Sequence, residues 1–278
     1  MIFVPIGGLA NRMRMIDSAI RLSSMTTSNY KIYWNKDKGL NCSFSKIWEP
    51  IKNLYDVKNI YLIYLLLGLR LRFPFTKFFL FLDKVHLLKI ISEEECCSLM
   101  TEQYDFLLLK KYKFSIIVTC ENFYPPPPHP KCDSGYDEFT LTDNLRKMVN
   151  TFIEIFPENI IGIHIRRTDN KNSIKFSPLS SFFSLMQSML DKEDNIYFYV
   201  ASDDEDVKKQ MKEKFNDKVI LLQGAIGRDT EERILFSVVE LYALSRTKKI
   251  YGSYWSSYSE TAAAIGKINL EVVNETVE

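Results

Sequence analysis

The sequence predicts an α/β fold in two halves, each a parallel sheet with helices packed on its faces. Three observations predict it. From about residue 160 onward, apolar strand-like runs alternate with helix-like runs, an order that produces parallel strands joined by crossover helices. The N-terminus starts the same way: the strand-like run Met1–Ile6 passes through paired glycines into a helix-like run. A length of 278 residues favours two domains over one.

Element by element, Met1–Ile6 reads as a first strand. Gly7-Gly8 is the turn after it, and the following helix carries Met13, Ile16 and Ile20 on one face. Lys31–Trp34 reads as the next strand, and the aromatic, Lys-rich stretch beyond it has no clear period. Ile60 to Leu82 is apolar but broken by Arg70, Arg72, Pro74 and Lys77, so a membrane-spanning helix is not expected. It reads as a core helix followed by a short amphipathic one; the alternative is a peripheral contact with a membrane surface.

Tyr124-Pro125-Pro126-Pro127-Pro128-His129-Pro130 is stiff and extended and reads as the hinge between halves. It divides the chain into residues 1–130, an acceptor-side domain, and residues 131–278, a ligand-binding domain, with a cleft expected between them. In the second half, strands are expected at 160–166, 196–200, 218–222 and 249–252, and helices at 179–190, 203–215, 231–245 and 259–265.

Composition narrows the function classes. Thirty-six basic against 35 acidic residues give a net charge of +1, which lacks the positive excess of a duplex nucleic-acid binder. The N-terminus has neither the charged lead-in nor the cleavage site of a secretory signal, which points to the cytoplasm. The five cysteines (Cys42, Cys96, Cys97, Cys120, Cys132) are odd in number and form no CxxC, as expected of free thiols. The histidines are His86, His129 and His164, and no Cys/His set has zinc-ligand spacing, so no metal is expected.

Four segments carry candidate chemistry. In Ile161-Gly162-Ile163-His164-Ile165-Arg166-Arg167-Thr168-Asp169, the isoleucines share one face of a strand and Gly162, His164 and Arg166 the other. A strand that delivers guanidiniums at its carboxyl end has the makings of an anion site, because a guanidinium pairs bidentately with phosphate oxygens. Structural pairing of Arg166 and Arg167 with Asp169 or a nearby helix is the plainer reading. Gly7-Gly8-Leu9-Ala10-Asn11-Arg12 permits close backbone approach to a ligand at a helix N-terminus, or is simply a tight turn. Ser202-Asp203-Asp204-Glu205-Asp206 reads as helix capping with Ser202 as N-cap, or as an acidic metal site facing a diphosphate; in either reading a carboxylate here could hold an arginine of the anion site. Trp255-Ser256-Ser257 precedes a helix and offers hydroxyls and amides to a phosphate; helix capping by Ser257 or Ser259 is the alternative.

Taken together, these segments resemble the α1,6-fucosyltransferases. His164-Ile165-Arg166-Arg167-Thr168-Asp169 is similar to that family's first motif and Ala201-Ser202-Asp203-Asp204 to its second. The Val239-Glu240-Leu241 helix and Trp255-Ser256-Ser257 loop are similar to its third. The Gly7–Arg12 turn resembles the glycine loop of the wider fucosyltransferase superfamily. The likeness covers roughly residues 160–265 and the first 15.

The resemblance implies a GT-B fold of two Rossmann-like domains, a GDP-fucose donor held by the second domain, inversion at the anomeric carbon and no metal or other cofactor. It implies that Arg166 binds the donor β-phosphate, that His164 lies beside the nucleotide and that Arg167 belongs to the same donor site. It further implies that Glu240 meets the guanine, that Ser256 and Ser257 bind phosphate and that Asp203 and Asp204 support the site. Asn11 and Arg12 would orient sugar or acceptor. The acceptor would be a glycan, lipid-linked in one form of the reading.

The chain departs from the pattern after Asp169. Where the core enzymes of the family place a lysine and then a glutamate, this chain has Asn170-Lys171-Asn172-Ser173-Ile174-Lys175. The base those enzymes use has no counterpart there, and Asp169 is the nearest carboxylate of the motif. A same-fold transferase with another nucleotide sugar, or a non-catalytic nucleotide-sugar or glycan-binding module, are the competing readings.

Overall fold

In the computed structural model, which describes residues 1–123 and 136–274, the chain divides into two compact units, Met1–Ser134 and Gly135–Glu278. The proline run, His129 and Cys132 lie outside the described residues.

The first unit runs β1 (Ile2–Pro5), α1 (Leu9–Thr26), β2 (Lys31–Asn35), β3 (Leu54–Val57), α2 (Tyr61–Arg70), α3 (Phe75–Lys84), β4 (Leu88–Ile91), α4 (Glu93–Thr101) and β5 (Phe114–Thr119). Its five strands pair in parallel in the order β3-β2-β1-β5-β4. Helix α1 buries Met13 and Ile16 completely, while Ile20 lies at the edge of its buried face.

Two expectations change here. The region that shows no period in sequence contains three strands and three helices, too short or too apolar to register as a pattern. The apolar stretch 60–82 does not form a fully enclosed core helix: α2 buries Ile63, half-buries Leu66, Leu67 and Leu69, and leaves Tyr61, Leu62, Tyr64 and Leu65 exposed. A ten-residue helix has one face on the sheet, and the leucines on its other faces have nowhere inside to go.

The second unit runs α5 (Asp143–Ile153), β6 (Ile160–Ile165), α6 (Lys171–Phe176), α7 (Leu179–Lys192), β7 (Tyr197–Ser202), α8 (Glu205–Phe215), β8 (Val219–Ile220), α9 (Glu231–Leu244), β9 (Lys249–Ser253), α10 (Ser257–Gly266) and β10 (Asn269–Val273). Its strands are again all parallel, in the order β10-β9-β6-β7-β8. The sequence pattern locates the expected strands and helices to within a few residues and misses α5, α6 and β10.

The period-two reading of β6 decides how this sheet is covered. Ile161, Ile163 and Ile165 face Phe182 and Met186 of α7 and Val207 and Met211 of α8 in one apolar cluster. Each such side chain, fully buried, contributes about 1.5–3 kcal/mol. The opposite face meets α9 and its end: a Cβ on Gly162 would lie 2.7 Å from both Leu244 and Thr247, so only glycine allows this contact. His164 emerges on that same face.

Because β6 is central and the chain moves outward through β7 and β8 before returning to β9, the strand order reverses between β6 and β9. At such a reversal the loops leave the two strand ends in opposite directions and open a crevice at their carboxyl ends. Arg166 follows β6 there, and Tyr254–Ser256 follow β9.

Candidate active site

The loop after β6 is pinned from two directions. The Arg166 amide donates to Ser253 Oγ at 3.0 Å. The Arg167 amide donates to Asp203 Oδ1 at 2.7 Å, and the Thr168 amide and hydroxyl donate to Asp203 Oδ2 at 3.3 and 2.6 Å. Asp203 therefore anchors backbone rather than a guanidinium. Asp204 caps α8, accepting from the amides of Asp206 and Val207. The N-cap is thus Asp204 and not Ser202, whose hydroxyl donates instead to Ile165 O at 2.7 Å. Sequence reasoning missed this because either residue type caps equally well, and the cross-strand partner that claims Ser202 is distant in sequence.

The two arginines separate, as the strand period requires. Arg167 donates to the carbonyls of Ser177 and Arg166 at 2.6 and 3.3 Å, which bolts it to the start of α7. Arg166 reaches Asp169, with Nε at 2.9 Å and the terminal nitrogen at 2.7 Å from Oδ1. The other oxygen of Asp169 lies 3.2 Å from Arg228, a residue the sequence did not single out. Partial burial pushes the Asp169 carboxyl up, but the charge and hydrogen bond of Arg166, joined by Arg228, outweigh it and hold the carboxyl below its usual value. Asp169 pairs with these two arginines rather than with Arg167. The signal for Arg228 was faint: an arginine directly after Gly227, whose φ of 150° belongs to glycine, just before a helix capped by Thr230.

The loop after β9 closes the other side. Asn170 caps α6 with its side-chain oxygen and donates to Trp255 O at 3.0 Å. Ser173 Oγ donates to Tyr254 O at 2.6 Å, and the Tyr254 amide donates to Ser177 Oγ at 2.7 Å. Helix α6 thus braces the Tyr254–Ser256 turn. Ser256 is the N-cap of α10, without a side-chain cap of its own, and Ser257 is the helix's first residue. The expected start of this helix at 259 moves back two residues, and its N-terminal amides face the carboxyl end of the sheet.

His164 lies inside this frame, 5% exposed. Its Nδ1 is 3.5 Å from Ser256 Oγ, and its ring stacks on Tyr258 at 4.9 Å. Burial, with Arg166 adding to it and Asp203 opposing it, pulls the imidazole down to about 4, so it is neutral near pH 7. Glu240 is enclosed in α9, paired with Lys208 at 2.7 Å. Its burial outweighs the attraction of Lys208 and raises the carboxyl to about 7. Lys171 is exposed at the start of α6, and the residues up to Phe176 bring no carboxylate to the loop.

The glycine turn belongs to the first unit. Gly7 has a φ of 82°, and the side chain of Asn11 lies against it. Gly8 precedes α1 without a side-chain cap, so backbone amides are presented there. Arg12 is turned inward and fully buried, in contrast to the ligand contact expected of it. It donates to Gly7 O at 2.9 Å and Asn35 O at 2.5 Å, pairs with Asp37 at 2.7 Å and lies 4.9 Å from the centre of the Trp34 ring. Its guanidinium holds the loop in shape.

Among the described residues, one group of potential metal ligands clusters, Glu93, Cys97 and Glu121, with ligand atoms within 4.8 Å of one another. Burial and the two carboxylates raise the Cys97 thiol, which disfavours the thiolate a metal needs. The four cysteines among the described residues are free thiols.

No protein-family model matches this chain, and no curated protein matches it by sequence. Solved structures match it along nearly its whole length. A mutant of Arabidopsis thaliana FUT1 in complex with GDP has a TM-score of 0.60 at 15% identity, over 98% of this chain and 69% of that one. The NodZ α-1,6-fucosyltransferase soaked with GDP-fucose, a protein also solved from Bradyrhizobium, has a TM-score of 0.58 at 16% identity, over 95% and 92%. POFUT1 without ligand has a TM-score of 0.55 at 8% identity, over 98% and 97%. The two parallel sheets with their helices are the α/β architecture of these GT-B fucosyltransferases.

Proposed function

We propose that this chain is an inverting glycosyltransferase that moves fucose from GDP-fucose to a hydroxyl of a glycan acceptor. The observation that carries the proposal is the convergence of Arg166 and Arg228 on one carboxylate at the strand-order reversal of the second sheet. Support comes from the fold it shares with fucosyltransferases whose structures hold GDP or GDP-fucose.

Two guanidiniums held on Asp169 form an anion site already oriented by the protein. In this reading a diphosphate oxygen of the donor takes the place of the Asp169 carboxylate between them, and the amides at the start of α10 face the same charge. As the sugar C1–O bond breaks, negative charge grows on the diphosphate, and donors fixed in advance stabilise it without reorganising. The acceptor oxygen bonds to C1 from the opposite face, and its proton leaves to a base or to water. Asp169 is a weak base, since the arginines hold it ionised; its role is to hold Arg166 and Arg228 in place until the donor takes over that contact. Asp203 fixes the loop amides, and neutral His164 supports Ser256. Glu240 reaches a guanine edge only by exchanging Lys208 for the ring N–H donors. The two arginines supply the charge that a metal supplies elsewhere, so transfer should survive excess chelator. A lipid-linked surface-glycan precursor in the cytoplasm is the acceptor this reading favours.

A second reading, a donor-binding module without turnover, is favoured by the lack of a carboxylate between Asn170 and Phe176. A thermal-shift panel of nucleotide sugars, followed by a transfer assay with chelator present, tests both. GDP-fucose should raise the melting temperature more than UDP-sugars or other GDP-sugars, because selective binding to the native state stabilises it. Equal shifts across the panel would sink the donor assignment. Saturable GDP binding with no transfer or donor hydrolysis would favour the binding module.

A further inference from the structure

Helices α2 and α3 are apolar on two faces, and their sheet covers one. The inner face (Ile63, Leu66, Leu67, Phe79, Leu82) packs on Val4, Ile90, Ile116 and Val118 of the first sheet. On the outer side, Tyr61, Leu62, Leu71, Phe73, Leu80 and Phe81 are between 59% and 78% exposed. With Leu65 and Phe78, which are also exposed, they fall at helical spacing within α2 (61, 62 and 65) and α3 (78 and 81) and continue through the link between the helices. An apolar patch of this kind marks an interaction site.

The charge around the patch names the occupant. Between residues 58 and 89 the chain has six basic residues and one acid, Asp83. Asp83 is already engaged by Lys89 and by the Tyr112 hydroxyl. Lys58, Arg72, Lys77 and Lys84 are exposed among the aromatic and leucine side chains, and Lys77 Nζ lies 5.7 Å from the centre of the Phe73 ring. A second copy of the chain docked here about a two-fold axis would set this patch against itself, cation against cation. An anionic lipid surface meets both properties: acyl chains accept the apolar side chains, while headgroup phosphates pair with the cations. Each ten-residue helix is about 15 Å long, half of a bilayer's hydrocarbon core, and no helix among the described residues is long and apolar enough to cross a membrane.

We propose that α2, the Leu71–Pro74 link and α3 form a docking face by which the first unit lies on an anionic membrane surface. The inference does not depend on the transferase reading, since it rests on residues outside that site.

The test is flotation of the full chain with vesicles of neutral phosphatidylcholine and with vesicles containing about 30% phosphatidylglycerol, at about 0.1 M and about 1 M salt. Binding should be at least tenfold tighter to the anionic vesicles and should weaken at high salt. Replacing Arg72, Lys77 and Lys84 together by Gln should weaken it on the order of 100-fold, at about fivefold per cation. The pair Phe73→Ser and Phe81→Ser should weaken it at least tenfold while GDP binding is unchanged. Both sets of side chains are exposed, so melting temperatures should hold; if the Phe pair unfolds the chain, the cation variant carries the test. Failure to float with anionic vesicles, or equal binding to neutral ones, would overturn the proposal. So would sedimentation equilibrium showing a dimer that the Phe pair abolishes, because the face would then belong to a second copy.

Discussion

An arginine follows the central strand of each sheet, and the two have opposite fates. Arg12, in the first turn and a half of α1, is wholly enclosed, with its nitrogens taken by Gly7 O, Asn35 O and Asp37. Arg166, directly after β6, keeps its side chain 19% exposed and leans on a carboxylate that is itself 46% exposed. The sheets share a plan: the first strand is central, the next two extend to one side and the last two fill the other. Topology nominates the same place twice. The difference lies in the segment that leaves each strand. In the first unit a helix begins almost at once and carries its arginine back into the core. In the second, a five-residue loop pinned by Asp203 and Ser253 holds the guanidinium at the surface.

A crossed pair of substitutions is the strongest attempt to break that contrast. Arg166→Lys should lower turnover by about 10²–10³ with little change in melting temperature, because lysine lacks the planar fork. Arg12→Met should do the reverse, lowering unfolding free energy by about 2–4 kcal/mol; this is below the loss for a fully enclosed pair because Asp37 is a third exposed. Steady-state kinetics and chemical denaturation on both variants decide the matter, and near-normal turnover in Arg166→Lys would remove the basis for the assigned site.

A smaller effect sharpens the second region. Arg228→Gln should weaken GDP binding about tenfold, the scale of one charged hydrogen bond, as read by calorimetry. An unchanged affinity would return Arg228 to the role of a surface ion pair.

The smallest effect is a pH slope. His164 is pulled from 6.5 to about 4 by burial, so as the pH falls from 6.5 the unfolded chain takes up a proton that the folded chain refuses. Its contribution therefore lowers stability progressively through that window and levels off below about pH 4. Glu240, raised from 4.5 to about 7, acts in the opposite sense and gains stability as pH falls through the same range. His164→Asn should therefore leave a midpoint of denaturation that declines less toward acid than the parent's. Identical slopes would mean that the imidazole is not held neutral.

Much of the second sheet was legible in the sequence. The alternation of Ile161, Ile163 and Ile165 against Gly162 and His164 set the two groups on opposite sides of β6, because the strand period leaves no other choice; which helices cover each side came from the tertiary structure. Much less of the first unit was legible: α2 carries no charged residue before Arg70, and a pattern without a polar face does not say which side is inside. The carboxyl-end arginine was visible as a residue type, but its partner Arg228 was not, since 59 positions separate Asp169 from Arg228 and no local period links them.

The sequence by itself determined most of the strand-and-helix order of the second half, its parallel sheet and the delivery of Arg166 to a strand end, because these depend only on local period and chain direction. Only the tertiary structure decided that Arg12 is enclosed, that Asp203 binds amides, that Asp204 and not Ser202 caps α8, and that Glu240 is paired with Lys208. Each of those outcomes depends on which distant group reaches a given donor or acceptor first, and burial, rather than residue type, settles that competition.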